Sequence, residues 1–208
     1  HTVPEVLATA IRKHRKIKGI IKSVTISKIL GLTMLSATMG LTACQNMPMG
    51  SQNHSMMTQQ NLTDGQVIKV VSTANNGEII QANVALPKLQ SPQVRNYAQM
   101  MINEHSMNEQ KGQALAKRLG VVPQVSMTSN DLQKDSNTIV NQLNQSMAPA
   151  DRAYMMSQVA VHRKVLASID QQLLPSASNA ELKAMLQQTR NAVAVHLQMA
   201  EQLLSTVR

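Results

Sequence analysis

Four side chains of strong metal-ligand type, Glu78, His105, His162 and His196, each interrupt an otherwise apolar series of positions spaced three and four residues apart. That spacing puts each of them on the buried stripe of a helix. Imidazole nitrogen suits zinc and copper, and ligands converging from several helices are how metal sites are built inside helical bundles. A lone histidine on such a stripe is most often a hydrogen-bonded core residue, but four comparable interruptions on four helices shift the balance towards a shared centre. Two smaller polar layers would also satisfy these residues, with Glu78 paired to His105, His162 paired to Tyr154 or Gln158, and Asn108 joining the first layer. Counted from the connecting turns, Glu78 and His105 are offset by about one helical turn and His162 and His196 by about two. Contact of one ion with all four therefore depends on loop geometry. Glu104 would join the set only by turning inward, because neighbours at i and i+1 diverge around a helix.

A second candidate set lies further towards the N-terminus. Residues 45 to 61, QNMPMGSQNHSMMTQQN, hold Met47, Met49, His54, Met56 and Met57 in a polar stretch without helical periodicity. Thioether and imidazole form a soft donor set that suits Cu(I), and the spacing resembles the methionine-rich copper motifs of envelope proteins. The same composition also describes a flexible tether with no ligand at all.

The elements that must position the four stripe residues are read from start and stop signals. Thr63 with Gln66, and Ser178 with Glu181, fit the capping box, and Ser91-Pro92 sets a capping serine before a first-turn proline. Pro87, Gly120 followed by Pro123, and Pro175 are the expected stops. These signals predict long helices over about 64–86, 92–119, 149–174 and 179–206, and a shorter amphipathic piece over about 130–146. No strand alternation competes with them. The expected fold is all-α: an antiparallel four-helix bundle with one additional short helix, preceded by a signal segment and a flexible tether.

Composition limits the function classes. The net charge is +9, but residues 1–43 carry seven Lys/Arg against Glu5 alone, so the rest of the chain is only mildly basic. With no Phe, no Trp and two Tyr, it also lacks aromatic platforms for stacking bases, which argues against a nucleic-acid partner. The single cysteine, Cys44, excludes an internal disulfide and a cysteine-cluster metal site.

Its surroundings explain that cysteine. From Lys22 the chain runs through a basic start, an apolar stretch from Ile29 to Met39 and small residues up to Cys44, the layout of an export signal. The end, Leu41-Thr42-Ala43-Cys44, resembles the lipobox of bacterial lipoprotein precursors. That resemblance implies that Cys44 is lipidated, becomes the first residue of the mature chain and binds membrane lipid through its acyl chains. Each buried methylene of such a chain contributes about 0.8 kcal/mol. Gln45 rather than Asp after the cysteine favours the outer membrane, with the domain on the periplasmic side. The expected organisation is a leader and signal peptide over 1–43, a lipidated tether over 44–62 and a helical domain over 63–208.

Three stretches, RNYAQMMINEHSMNEQKGQALAKRLGV (95–121), DRAYMMSQVAVHRKVLASID (151–170) and ELKAMLQQTRNAVAVHLQMAEQLL (181–204), resemble the bacterial envelope family known as domain of unknown function 4142. That family is placed among ferritin-like bundles and described as outer-membrane protein. Its acid-His-Ser triplet matches Glu104, His105 and Ser106, its Asp-Arg-Ala-Tyr opening matches Asp151 to Tyr154, and its later histidines match His162 and His196. The resemblance implies a ferritin-like fold and an envelope location, and no reaction. Ferritin-like di-iron centres need a Glu-x-x-His pair on each of two helices. Here Ile102, Val159 and Val193 stand three residues before the histidines. A histidine-rich, carboxylate-poor set suits a single Cu or Zn ion better than two irons.

The chain has no nucleophile motif and no phosphate loop, and an enzyme is not expected. Two functions remain. The first is a non-catalytic envelope lipoprotein acting through other envelope proteins or in envelope stress. The second is a copper- or zinc-binding protein using the bundle histidines, the methionine-rich tether, or both.

Overall fold

A computed structural model describes residues 61–208, and among them every regular element is helical. Cys44, the signal segment and the tether residues Met47, Met49, His54, Met56 and Met57 lie outside the described residues. Five helices follow one another: α1 (Asp64–Ala85), α2 (Pro92–Leu119), α3 (Met127–Gln145), α4 (Asp151–Ser168, prolonged to Ser176) and α5 (Ala180–Leu204).

The caps are local chemistry. Thr63 and Gln66 form the reciprocal box that opens α1, and the Ser91 hydroxyl accepts from the Val94 N–H to open α2. Gly120 closes α2 in the left-handed region at φ 64°, where a side chain would be strained, and Val121 N–H then reaches back to the Ala116 carbonyl.

Three expectations need correcting. The piece expected over 130–146 is a full helix of 19 residues that starts earlier, because Ser126 and Ser129 make a box with serine in the place of the usual Glu or Gln. At α5 the cap is Asn179, whose Oδ1 accepts from the N–H groups of Glu181 and Leu182. Ser178 instead donates its N–H and hydroxyl to Asp64 at 2.8 and 2.7 Å, which latches the start of α5 to the start of α1. Pro175 does not stop α4 at once. The helix widens into π geometry over Ile169–Leu173, with Leu174 N–H donating five residues back to Ile169, and then runs on to Ser176. A proline removes one donor and its ring clashes with the carbonyl four residues earlier; widening the preceding turn relieves the clash.

Short connections reverse the chain at each step, so one end gathers the start of α1, the 120–126 loop and the α4/α5 turn. There Gln124 N–H meets the Gly65 carbonyl and Leu62 N–H meets the Ser176 hydroxyl. The opposite end is tied by Lys88, whose ammonium donates to the carbonyls of Leu143, Asn144 and Ser146, and by buried Asp151, which accepts from the N–H groups of Gln90 and Ser91. Both sets of bonds satisfy groups that helix ends leave open.

The core is split. One apolar cluster, around Val67, Leu115, Leu132, Ile169, Leu182 and Leu186, fills the end near the α4/α5 turn. A second, around Ala82, Val94, Tyr97, Met101, Leu143, Tyr154 and Met155, fills the other end. Between them runs a buried polar layer holding Asn75, Glu78, Gln81, His105, Gln158, His162 and His196. In that layer α1 and α3 approach at Gly77, where an added Cβ would stand 2.9 Å from the Ser136 hydroxyl.

Candidate metal centre

The polar layer brings His105 from α2, His162 from α4 and His196 from α5 together. Their ring centroids lie 5.3 to 5.9 Å apart, and one nitrogen of each ring lies within 4.8 Å of the others. All three are buried, at 5%, 1% and 3% exposure.

What fixes each ring is the partner of its other nitrogen. Glu109 can only accept, so the Asn75 amide nitrogen faces it at 3.5 Å and the Asn75 oxygen faces His105. That oxygen takes the His105 Nδ1 proton at 2.9 Å and a second bond from Asn108 at 3.1 Å, while the Thr189 hydroxyl donates to Asn108 in turn. His162 donates its Nδ1 proton to the Gln158 backbone carbonyl at 2.8 Å. His196 holds its Nε2 proton against the Glu104 carboxylate at 2.6 Å. With those protons assigned, the lone pairs sit on His105 Nε2, His162 Nε2 and His196 Nδ1. These are the three ring nitrogens left buried without a hydrogen-bond partner.

Electrostatics keep the lone pairs of His105 and His162 free. Burial, reinforced by the neighbouring imidazoles His162 and His196, holds His105 well below the usual histidine range. Burial and His196 together push His162 down to about 3. A buried imidazole that stays neutral presents a lone pair to a metal, not a proton. Each buried, unpartnered polar atom costs about 1–3 kcal/mol, so three in one layer are an expensive way to fill a core. Tetrahedral zinc at its usual Zn–N distance needs ligand nitrogens about 3.3 Å apart.

The group of three histidines includes neither Glu78 nor Glu104. Glu78 is buried and pushed up to about 8 by burial, and its Oε1 lies 4.0 Å from His162 Nδ1, the nitrogen bonded to the Gln158 carbonyl. The pairing of Glu78 with His105 is replaced by Asn75 with His105, and the partner of His162 is the Gln158 backbone and not its side chain. The Gln158 amide instead bonds Gln81, which reaches Ser136 on α3. Glu104 stands behind His196 across the α2/α5 seam, as the carboxylate behind a metal-ligating histidine does. Neighbouring Glu104 and His105 do diverge, yet His196 links them.

Two functional contributors escape sequence reasoning. Asn75 lies one position off the stripe Val67, Val71, Ala74, Glu78, and only its amide, one turn before Glu78, could have signalled it. The pairing of Glu104 with His196 joins residues on different helices and carries no sequence signal.

The α2/α5 seam is open beside the histidines. A cleft of about 290 Å³ lies there, with Glu104, Met107, Asn108 and Lys111 on one wall and Gln188, Thr189, Ala192 and Val193 on the other, and it reaches His105 and His196. His162 is not part of that lining.

A family model described as Domain of unknown function (DUF4142) matches residues 48–203. No curated protein and no solved structure matches the chain.

Proposed function

We propose that this chain, which belongs to the family described as domain of unknown function (DUF4142), is a metal-binding protein of the bacterial cell envelope that holds one zinc or copper ion on His105, His162 and His196. The observation that carries the reading is that three buried histidine rings each bring one nitrogen within 4.8 Å of the others, and that each ring keeps one nitrogen buried without a partner while its opposite nitrogen is hydrogen-bonded. A structural histidine needs only the second half of that arrangement. An all-imidazole set with no bridging carboxylate suits a single zinc or copper ion and not a di-iron pair.

In this reading the helices are a ferritin-like antiparallel four-helix frame with α3 added. The domain is carried on a lipid-anchored tether from Cys44, at the outer membrane and facing the periplasm. Its role is to bind metal rather than to turn over a substrate, and envelope proteins are its natural partners.

The test is a titration of the purified protein with Zn(II) and Cu(I), wild type against His105→Ala, His162→Ala and His196→Ala. One ion per chain with submicromolar affinity, weakened at least a hundredfold by each substitution, is expected. Binding that ignores all three substitutions would overturn the assignment. For the anchor, Cys44→Ser should leave the precursor unprocessed and absent from detergent-extracted outer membrane; wild-type levels there would refute lipidation.

A further inference from the structure

Resting on the reading of Cys44 as a membrane anchor, we infer that the loop between α2 and α3 docks onto the lipid surface that holds that anchor, with Val122, Val125 and Met127 inserted at the bilayer interface. These three side chains are 72%, 63% and 75% exposed and fall within six residues. The other large apolar side chains exposed among the described residues, Ile80, Met107, Met147, Met156 and Val195, stand singly on separate elements. A single exposed apolar residue needs no explanation, but a cluster at one place marks an interaction surface. Charge agrees with a lipid partner. Residues 119–130 carry no charged side chain, so the loop can leave water without stripping an ion of its hydration. Exposed Lys117, in the last turn of α2, stands just before that stretch and suits lipid phosphates.

What selects lipid as the occupant is the place where the chain enters the bundle. Leu62 N–H is bonded to the Ser176 hydroxyl at the same end that carries this loop. The loop is fixed to that entry point, since Gln124 N–H donates to the Gly65 carbonyl at 3.0 Å and the Gln66 amide reaches the Val125 carbonyl at 3.5 Å. The approach is close: a Cβ added to Gly65 would stand 2.4 Å from the Val122 carbonyl oxygen. The 17 residues 45–61 separate Cys44 from this end, a span that even full extension limits to about 60 Å. An anchor at Cys44 therefore keeps the loop close to the membrane at a high effective concentration, and a weak apolar contact is enough to dock it. The backbone bonds also preset the loop, so little ordering entropy is lost when it inserts.

The experiment uses the acylated protein in vesicles of phosphatidylethanolamine and phosphatidylglycerol. With Cys44 blocked by its acyl chain, Val125→Cys and Met147→Cys each offer one thiol for a polarity-sensitive fluorophore, and doxyl-labelled lipids serve as quenchers. Met147, 88% exposed, follows Ser146 at the opposite end, where Lys88 is bonded, and is the control. The probe at 125 should shift to the blue on reconstitution and be quenched about threefold more strongly than the probe at 147. Adding Val122→Asp and Met127→Asp should abolish that quenching while the protein still floats with the vesicles and keeps its Tm, because both side chains are exposed. No quenching of either probe, or equal quenching of both, in protein that floats would overturn the docking and leave the anchor standing. Quenching unchanged by the two aspartates would also overturn it. A blue shift without quenching, together with cross-linked dimers, would assign the face to a second copy and overturn lipid docking. Failure of the wild type to float would overturn the anchor itself, and the docking with it.

Discussion

Replacing His162 by Leu should stabilise the metal-free protein and abolish its response to metal. His162 is 1% exposed, and leucine has nearly its volume, so the exchange creates neither a large cavity nor overpacking. What is lost is one hydrogen bond to the Gln158 carbonyl, worth about 0.5–1.5 kcal/mol. That carbonyl lies inside α4 and keeps its helical bond, so no orphan remains. What is removed is the unpartnered Nε2, which costs about 1–3 kcal/mol where it is buried. The difference favours the variant by about 1 kcal/mol, or about 2–4 °C in Tm for a domain of this size. Zinc reverses the order, because an ion at a hundred times its Kd stabilises the wild type by about 2.7 kcal/mol and the variant hardly at all. The assay is thermal unfolding followed by circular dichroism, in chelator and then in excess Zn(II). If His162→Leu melts well below wild type in chelator, His162 is a structural hydrogen-bonding post and the reasoning fails.

Glu104→Gln removes the carboxylate behind His196, and calorimetric titration should find metal affinity reduced about 10- to 100-fold. Because the Glu104 side chain is 47% exposed, the metal-free Tm should hardly move; a large drop would assign Glu104 a structural role instead. Protons and metal compete for the same lone pairs, and burial depresses His105 and takes His162 down to about 3. In the metal-free protein His105 and His162 should therefore stay neutral through the range near pH 6.5, where ordinary histidines charge; an NMR titration showing both rings charging near pH 6.5 would contradict this. Gly77→Ala pushes a methyl group to 2.9 Å from the Ser136 hydroxyl, and denaturant melts should show a loss of about 1–3 kcal/mol; an unchanged midpoint would mean that α3 is free to retreat.

Much of the fold is legible locally. The capping box at Thr63, the serine cap at Ser91 and the left-handed glycine at Gly120 stand where their chemistry requires, because each involves residues a few positions apart. Side-chain identity within one turn is less decisive. Ser178 and Asn179 can both cap α5, and the outcome rests on Asp64, on a distant helix, taking both donors of Ser178. There burial opposes ionisation of Asp64, but the bonds from Ser178 and Asn179 prevail and hold its carboxyl below the usual range. The π turn before Pro175 is likewise invisible in a pattern of period 3.6, since it departs from that period to make room for the proline ring.

The sequence by itself determined that the described part of this chain is helical, which residues interrupt the apolar stripes and roughly where along each helix they fall. Those properties follow from intrinsic propensity, capping and a period that one helix carries alone. Only the tertiary structure decided that three of the four interruptions meet, that Glu78 lies beside the hydrogen-bonded nitrogen of His162, and that Asn75 and Glu104 are the groups that turn two of the rings. A ring nitrogen is aimed by whatever bonds its opposite nitrogen. In two of the three cases that partner arrives from another helix, at a height set by the turns between helices rather than by any spacing within them.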